Sequence, residues 1–359
     1  MSLDSLYINP TKYCNLCCKH CWVSPPTREK LEKEDEELSI KEIISVVKEA
    51  RKLGLNSVKL TGGEPLLRED VKELLEFCAS SGVETMIETN GTLITKDTAR
   101  MFKKFKVGHI SVSLDSASAR THDFFRGKKG AFKSTIKGIE NLRDECFPPQ
   151  VIMSLYKGNL EGFSDFMRLM RRLEVNDIKI NTISPLGRGA GMQDKGLTPT
   201  AKEILEFGER LKEITGHFKG SVYLDVPMAF RSLEELDGRG CGCCKIKSIL
   251  GILSDGSVSI CGIGYMDDRL VFGNIKDDPA VLKEIWNNNP VLRQIREKIP
   301  SKLEGVCGMC VFKKMCLGNC RAEVYHNTGS FFSPYWFCQE AFDEGLFPST
   351  RLIPEALRT

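Results

Sequence analysis

What most restricts the fold of this 359-residue chain is a regular alternation along its first two thirds. Six short runs rich in aliphatic and β-branched residues read as strands: Ser5–Ile8, Ser57–Leu60, Glu84–Glu88, His109–Leu114, Gln150–Leu155 and Asp177–Ile183. Segments of helical periodicity separate and follow them. Ile40, Ile43, Ile44 and Val47 mark the first, and Val71–Cys78, Thr95–Phe105, Phe132–Arg143, Leu160–Leu173 and Thr200–Ile214 supply the others. Strand–helix alternation of this length predicts an α/β fold, a parallel sheet with helices outside, curved into an open partial (β/α)6 TIM-like barrel. Chemistry in such folds gathers at the carboxyl ends of the strands. The polar and glycine-rich segments fall there: a cysteine loop after the first strand, Gly62-Gly63-Glu64 after the second, Thr89-Asn90 after the third, Ser113–Ser116 at the end of the fourth.

Composition narrows the chemistry. Lys+Arg 51 against Asp+Glu 48 leaves a net charge of +3, too balanced for a nucleic-acid groove or an anionic membrane surface. No apolar run reaches membrane-spanning length and no signal pattern opens the chain, so a cytoplasmic protein is expected. In a reducing compartment, clustered cysteines point to metal rather than to disulfides. Of 15 cysteines, four lie in the opening loop and nine between Cys241 and Cys338, while Cys78 and Cys146 stand alone as candidate buried small hydrophobes.

The opening loop reads Cys14-Asn-Leu-Cys17-Cys18-Lys-His20-Cys21-Trp22. Cys14, Cys18 and Cys21 have three residues, then two, between successive thiols, and can hold three irons of a four-iron cluster while the fourth stays open. Cys17 offers an alternative triplet with Cys14 and Cys21, and a zinc knuckle is the plainer use of such thiols. In the C-terminal region the spacing is Cys307-x2-Cys310-x5-Cys316-x3-Cys320, then Cys338, with Cys241, Cys243, Cys244 and Cys261 upstream. A zinc ribbon accounts for Cys307/Cys310 and Cys316/Cys320 but leaves the remaining thiols without a purpose.

Taken together, these motifs resemble the radical S-adenosylmethionine (SAM) enzymes with a C-terminal SPASM extension, the auxiliary-cluster domain of relatives that modify peptides and proteins. The resemblance covers essentially the whole chain. It implies a barrel at 1–225, a linker at 226–240, the SPASM domain at 241–345 and a tail at 346–359. It implies a [4Fe-4S] cluster on Cys14, Cys18 and Cys21 that binds SAM. SAM contacts are expected from His20, Gly62, Gly63, Glu64, Asn90, Ser113, Asp115, Arg126 and the backbone near Leu186. Two auxiliary clusters are implied: Cys307, Cys310, Cys316 and Cys338 hold one. Cys261 and Cys320 hold the other with two of Cys241, Cys243 and Cys244, of which Cys241 and Cys244 are favoured because adjacent Cys243 and Cys244 point apart in extended chain.

The implied activity is reductive cleavage of SAM to a 5′-deoxyadenosyl radical that takes hydrogen from a peptide or protein, with flavodoxin or ferredoxin as electron donor. Only thirteen residues precede Cys14, so peptide recognition is expected from a separate protein. In sulfatase-maturing relatives an aspartate follows the cysteine matching Cys261; Gly262 stands there instead, which disfavours that activity. Tailoring of a cofactor or tetrapyrrole is the alternative, since Cys320-Arg321-Ala322 occurs in some such relatives. A non-enzymatic electron carrier or cluster scaffold would not need SAM motifs at the strand ends.

Overall fold

A computed structural model describes residues 1–24, 37–237 and 244–354. The six expected strands form as β1 (Ser5–Ile8), β2 (Ser57–Leu60), β3 (Glu84–Thr89), β4 (His109–Ser113), β5 (Gln150–Leu155) and β6 (Asp177–Thr182). Four more join the same sheet: β7 (Ser221–Leu224), β8 (Ile249–Ile252), β9 (Ser257–Ser259) and β10 (Val271–Asn274). Their order is β10-β9-β8-β1-β2-β3-β4-β5-β6-β7. From β8 through β1 to β7 every pairing is parallel, whereas β8–β9 and β9–β10 are antiparallel. The sheet therefore begins six-stranded in sequence but is extended on both flanks, and β7 and β10 are its edges.

The crossover helices are α1 (Ile40–Lys52), α2 (Val71–Ser80), α3 (Lys96–Lys104), α4 (Ala119–Arg126), α5 (Ala131–Asp144), α6 (Phe163–Arg172), α7 (Arg188–Gln193) and α8 (Ala201–Thr215). Their starts are encoded locally. Ser39 with Glu42 and Thr200 with Glu203 form reciprocal capping boxes that satisfy the first backbone N–H groups of α1 and α8. Each helix turns one face inward: α1 buries Ile40, Ile43, Val46, Val47 and Ala50.

Strand periodicity of two then separates core from site. Ile110 and Val112 of β4, Val151 and Met153 of β5, and Ile178 and Ile180 of β6 are buried in the layer shared with the helices. Each such side chain contributes about 1.5–3 kcal/mol by leaving water. The alternate residues, Ser111 and Ser113, Ile152 and Ser154, and Asn181, face a cavity on the other side. A mostly polar inner face is what keeps this space open to a hydrophilic ligand.

Candidate functional site

The cavity, of about 340 Å³, lies at the carboxyl ends of the parallel strands. Cys14, Cys18 and Cys21 line it, with His20, Gly62, Gly63, Glu64, Asn90, Ser113 and Arg126. Cys17 does not: it is exposed, and its Sγ accepts from Arg188 Nη1 at 3.0 Å. The loop is held by its neighbours through backbone bonds. Gly63 N donates to Thr11 O at 3.1 Å and Glu64 N to Tyr13 O at 2.8 Å. A Cβ on Gly63 would stand 1.9 Å from the Tyr13 oxygen, so only glycine lets the turn after β2 lie against the cysteine loop. The close approach that the glycines permit is thus made first to the chain itself.

Glu64 is 1% exposed and its carboxylate accepts from Thr89 Oγ1, Asn90 N and Leu66 N at 2.8, 2.8 and 3.2 Å. Burial raises its pKa against the pull of those donors. Three donors leave such a group one acceptor position for a ligand ammonium. Asn90 Nδ2 donates to Asn15 Oδ1 at 2.8 Å and approaches Cys14 Sγ at 3.9 Å, tying the third strand end to the loop.

Two of the expected ligand contacts lie off the cavity wall. Asp115 does not line the cavity. It is wholly buried and accepts from Arg126 Nε at 2.6 Å and Nη2 at 2.9 Å, a bidentate pair. Burial opposes its ionisation, yet Arg126 and His122 hold its carboxyl below the usual carboxylate range. Its partner Arg126 remains on the cavity wall, with Nη1 3.7 Å from Cys18 Sγ. Asp115 therefore fixes the direction of the guanidinium. Leu186 is also off the wall; Ile183 and Ser184 are the lining members of that turn. The glycines beside Leu186 meet the cysteine loop instead: a Cβ on Gly187 would be 2.5 Å from Trp22 O, and Arg188 N donates to Cys21 O at 3.1 Å.

His20 stacks on Phe125 with ring centroids 4.3 Å apart, and Phe125 stacks on Tyr156 at 4.4 Å. Burial lowers its pKa to about 3, so the imidazole is neutral. Its Nε2 meets Ser154 Oγ at 3.3 Å while Nδ1 is buried without a partner. The stack fixes a flat aromatic face beside the thiols.

The C-terminal thiols form two further groups. Cys307, Cys310, Cys316 and Cys338 all line one small cavity of about 20 Å³. Cys307 and Cys338 lie close enough to interact, which favours the thiolate at Cys307 and disfavours it at Cys338. Cys244, Cys261 and Cys320 interact pairwise, and burial pushes Cys244 and Cys261 up to about 12. Cys241, like Cys243, lies outside the described residues. Among the described residues no three His, Cys, Asp or Glu side chains converge on a point as ligands of a single metal ion do. Ligands of a cuboidal cluster stand apart around it, so four thiols about one cavity, and three at the rim of another, fit iron–sulfur groups.

Sequence reasoning missed the far wall. Glu88, Asn181, Ser184, Asp225, Glu323 and Tyr335 also line the main cavity, and so does Cys320. Glu323 is 1% exposed; burial raises its pKa to about 7, against Ser184 and Trp336, which favour the ionised form. These residues come from strand ends and a C-terminal helix far apart in the chain, and no local pattern joins them.

A parallel sheet with three thiols, a buried carboxylate and a fixed aromatic face at its strand ends defines an iron–sulfur enzyme built to hold a polar organic cofactor. The radical SAM superfamily model matches residues 8–173 and the SPASM iron–sulfur cluster-binding domain matches residues 241–323. An AdoMet-dependent heme synthase of Methanosarcina barkeri is 32% identical over 350 residues, 91% of this chain and 94% of that protein. Mycofactocin maturase MftC of Mycolicibacterium smegmatis is 28% identical over 357 residues, 96% of this chain and 85% of its own length. In fold, the crystal structure of Streptococcus suis SuiB bound to precursor peptide SuiA is similar with a TM-score of 0.71 at 19% identity, over 94% of this chain and 76% of that one. The chain belongs to the radical SAM enzymes that carry a SPASM domain.

Proposed function

We propose that this radical SAM enzyme takes hydrogen from a carbon of a peptide or protein substrate and so modifies it after translation. Cys14, Cys18 and Cys21 would hold a four-iron cluster that, with SAM bound and on reduction, would supply the hydrogen-abstracting radical chemistry. The chain's own part is to orient and to exclude. Glu64 offers its free acceptor position to the SAM ammonium, Arg126 faces the carboxylate, and His20 gives the flat face its stack fixes.

The observation that carries the peptide reading is the acceptor-rich far wall. Glu88, Asp225 and Glu323 line it. Among the described residues Arg126 is the one Lys or Arg on the cavity, and Asp115 already holds it. Such a wall suits the N–H groups of a peptide. A heme-type tetrapyrrole would bring several carboxylates, which accept and do not donate, against these acceptors. Similarity to the maturase MftC over 96% of the chain supports the same reading.

Tetrapyrrole or cofactor tailoring is the second reading, favoured by the 32% identity to a heme synthase. Cys320 sits on the cavity wall, so an auxiliary cluster on Cys241, Cys244, Cys261 and Cys320 would stand next to the substrate and suits taking up its electron. A second auxiliary cluster on Cys307, Cys310, Cys316 and Cys338 would lie deeper, on a route from a flavodoxin- or ferredoxin-type donor. A separate recognition protein and a cytoplasmic setting belong to this proposal.

The test is anaerobic incubation of reconstituted enzyme with SAM and dithionite. Short peptides encoded beside the gene are compared with an iron porphyrin carrying propionates. Deuterium passing from labelled peptide to 5′-deoxyadenosine supports the first reading; passage only from the porphyrin overturns it in favour of the second.

A further inference from the structure

We infer that Glu323 is a specificity-determining residue: its free carboxylate oxygen, on the cavity that the Asn181 amide also lines, grips a nitrogen-bearing donor group of the substrate. This deepens the peptide reading and rests on it.

The cavity's carboxylates differ in how they are satisfied. Glu64 accepts three hydrogen bonds from its own surroundings. Glu88 is paired with Lys59 at 2.5 Å and accepts from Thr61 Oγ1 at 3.1 Å. Asp225 has Lys179 at 3.3 Å and Arg231 at 3.7 Å. Among the described residues Glu323 makes no ion pair, with Arg321 acting on it only at longer range. Its Oε2 accepts from Ser184 Oγ at 2.7 Å, while Oε1 is buried with no hydrogen-bond partner among the described residues. Asn181 Oδ1, on the same cavity, is also buried and unpartnered. The indole Nε1 of Trp336 lies near enough to influence Glu323 but outside hydrogen-bond geometry.

Leaving a buried acceptor unmet is costly, and more so when it is charged. A chain that keeps two of them on one wall must recover that loss when a donor arrives. Ser184 and the wall position of Asn181 set where the donor stands, on the side of the cavity that also carries Cys320. A side-chain ammonium or guanidinium meets the requirement with charge and several donors, whereas a backbone amide N–H, which every peptide residue shares, brings one neutral donor. A substrate carboxylate, which only accepts, does not meet it. Glu323 also places a carboxylate in this cavity although Gly262 carries none.

Blocked single residues serve as probes: Nα-acetyl-lysine methylamide and Nα-acetyl-glutamate methylamide, titrated calorimetrically into the reconstituted, SAM-loaded enzyme. The lysine probe is expected to bind at least about tenfold more tightly than the glutamate probe, as a charge-assisted hydrogen bond gives. Glu323→Gln should weaken the lysine probe by about tenfold and Asn181→Val by less, with iron content equal to wild type as the check on folding. Equal binding of the two probes, no binding of either, or unchanged affinity in both variants overturns the inference. Failure of the peptide reading shows separately, as deuterium transfer from a porphyrin and not from a peptide. Should a peptide react while Glu323→Gln leaves its KM and the lysine-probe affinity unchanged, only the role of Glu323 falls.

Discussion

Cys14, Cys18 and Cys21 stand at the rim of a cavity whose other walls are Glu64, Asn90, Ser113 and Arg126. Cys307, Cys310 and Cys338 are buried in the main apolar core, and the space between them and Cys316 is about 20 Å³ against about 340 Å³ at the strand ends. Both regions are cysteine-rich, yet one is open and polar, the other closed and apolar. A cluster that must take an organic ligand needs an open side and neighbours able to accept and donate. A cluster that only passes electrons is served by full cysteine ligation and exclusion of water. The surroundings of the sulfur, more than the number of cysteines, separate the two regions.

The largest test of this contrast is loss of the open site. Cys14→Ala, Cys18→Ala and Cys21→Ala are each expected to reduce 5′-deoxyadenosine formation to background. Cys338→Ala should leave a measurable fraction of SAM cleavage while removing iron from the closed site. Retained cleavage in the Cys18 variant would break the comparison at its root.

Iron analysis sharpens the same division. Reconstituted protein should hold three clusters of about four irons each, and the variant lacking Cys14, Cys18 and Cys21 together should keep two. Zinc replacing iron in the C-terminal region would overturn the auxiliary assignment. Within the nearer auxiliary site, Cys244→Ala should cost about four irons and Cys243→Ala none.

Next in size is the ion pair behind the open site. Arg126→Met leaves Asp115 as an unpaired charge in a fully buried position, which costs about 3–5 kcal/mol. The unfolding midpoint of that variant, measured anaerobically, should fall well below wild type, and Asp115→Asn added to it should restore most of the loss. A double variant no more stable than the single one would show that Asp115 is not held there by Arg126.

The fold was legible where periodicity is local. Ser5–Ile8, Ser57–Leu60 and Gln150–Leu155 form strands with the expected ends, and the other three early strands differ by one residue. The helix Ala119–Arg126 was not legible, because Ala-Arg-Thr-His-Asp-Phe-Phe-Arg carries few aliphatic residues. It is fixed by burial of His122, Phe125 and Arg126 under the loop, a tertiary effect. Strands β7 to β10 are three or four residues long and find their places by pairing with β6 and β1 or with each other, which no window of sequence displays. In the site, the thiols and Glu64 were legible through spacing. The pairing of Asp115 with Arg126 was not legible, because a motif gives a residue's neighbourhood and not the direction of its side chain. Glu323 and Asn181 reach one cavity only through the fold.

The smallest expected effect concerns the one opening cysteine that the cavity excludes. Cys17 is exposed, and its thiol touches only the side chain of Arg188 at 3.0 Å among the described contacts. Exposed substitutions of this kind stay within about 0.5 kcal/mol. Cys17→Ala should therefore keep full iron content and SAM cleavage. The backbone at the same position is another matter. Cys17 N donates to Arg126 O at 3.1 Å, and Gly127, with φ of 68°, lies so close that an added Cβ would stand 2.2 Å from the Cys17 oxygen. Gly127→Ala forces an L side chain into the left-handed region and drives it into the loop, so it should lower iron content where Cys17→Ala does not. If Cys17→Ala loses about four irons and Cys18→Ala none, the ligand triplet is Cys14, Cys17 and Cys21, and the rim of the open site must be redrawn around the exposed thiol.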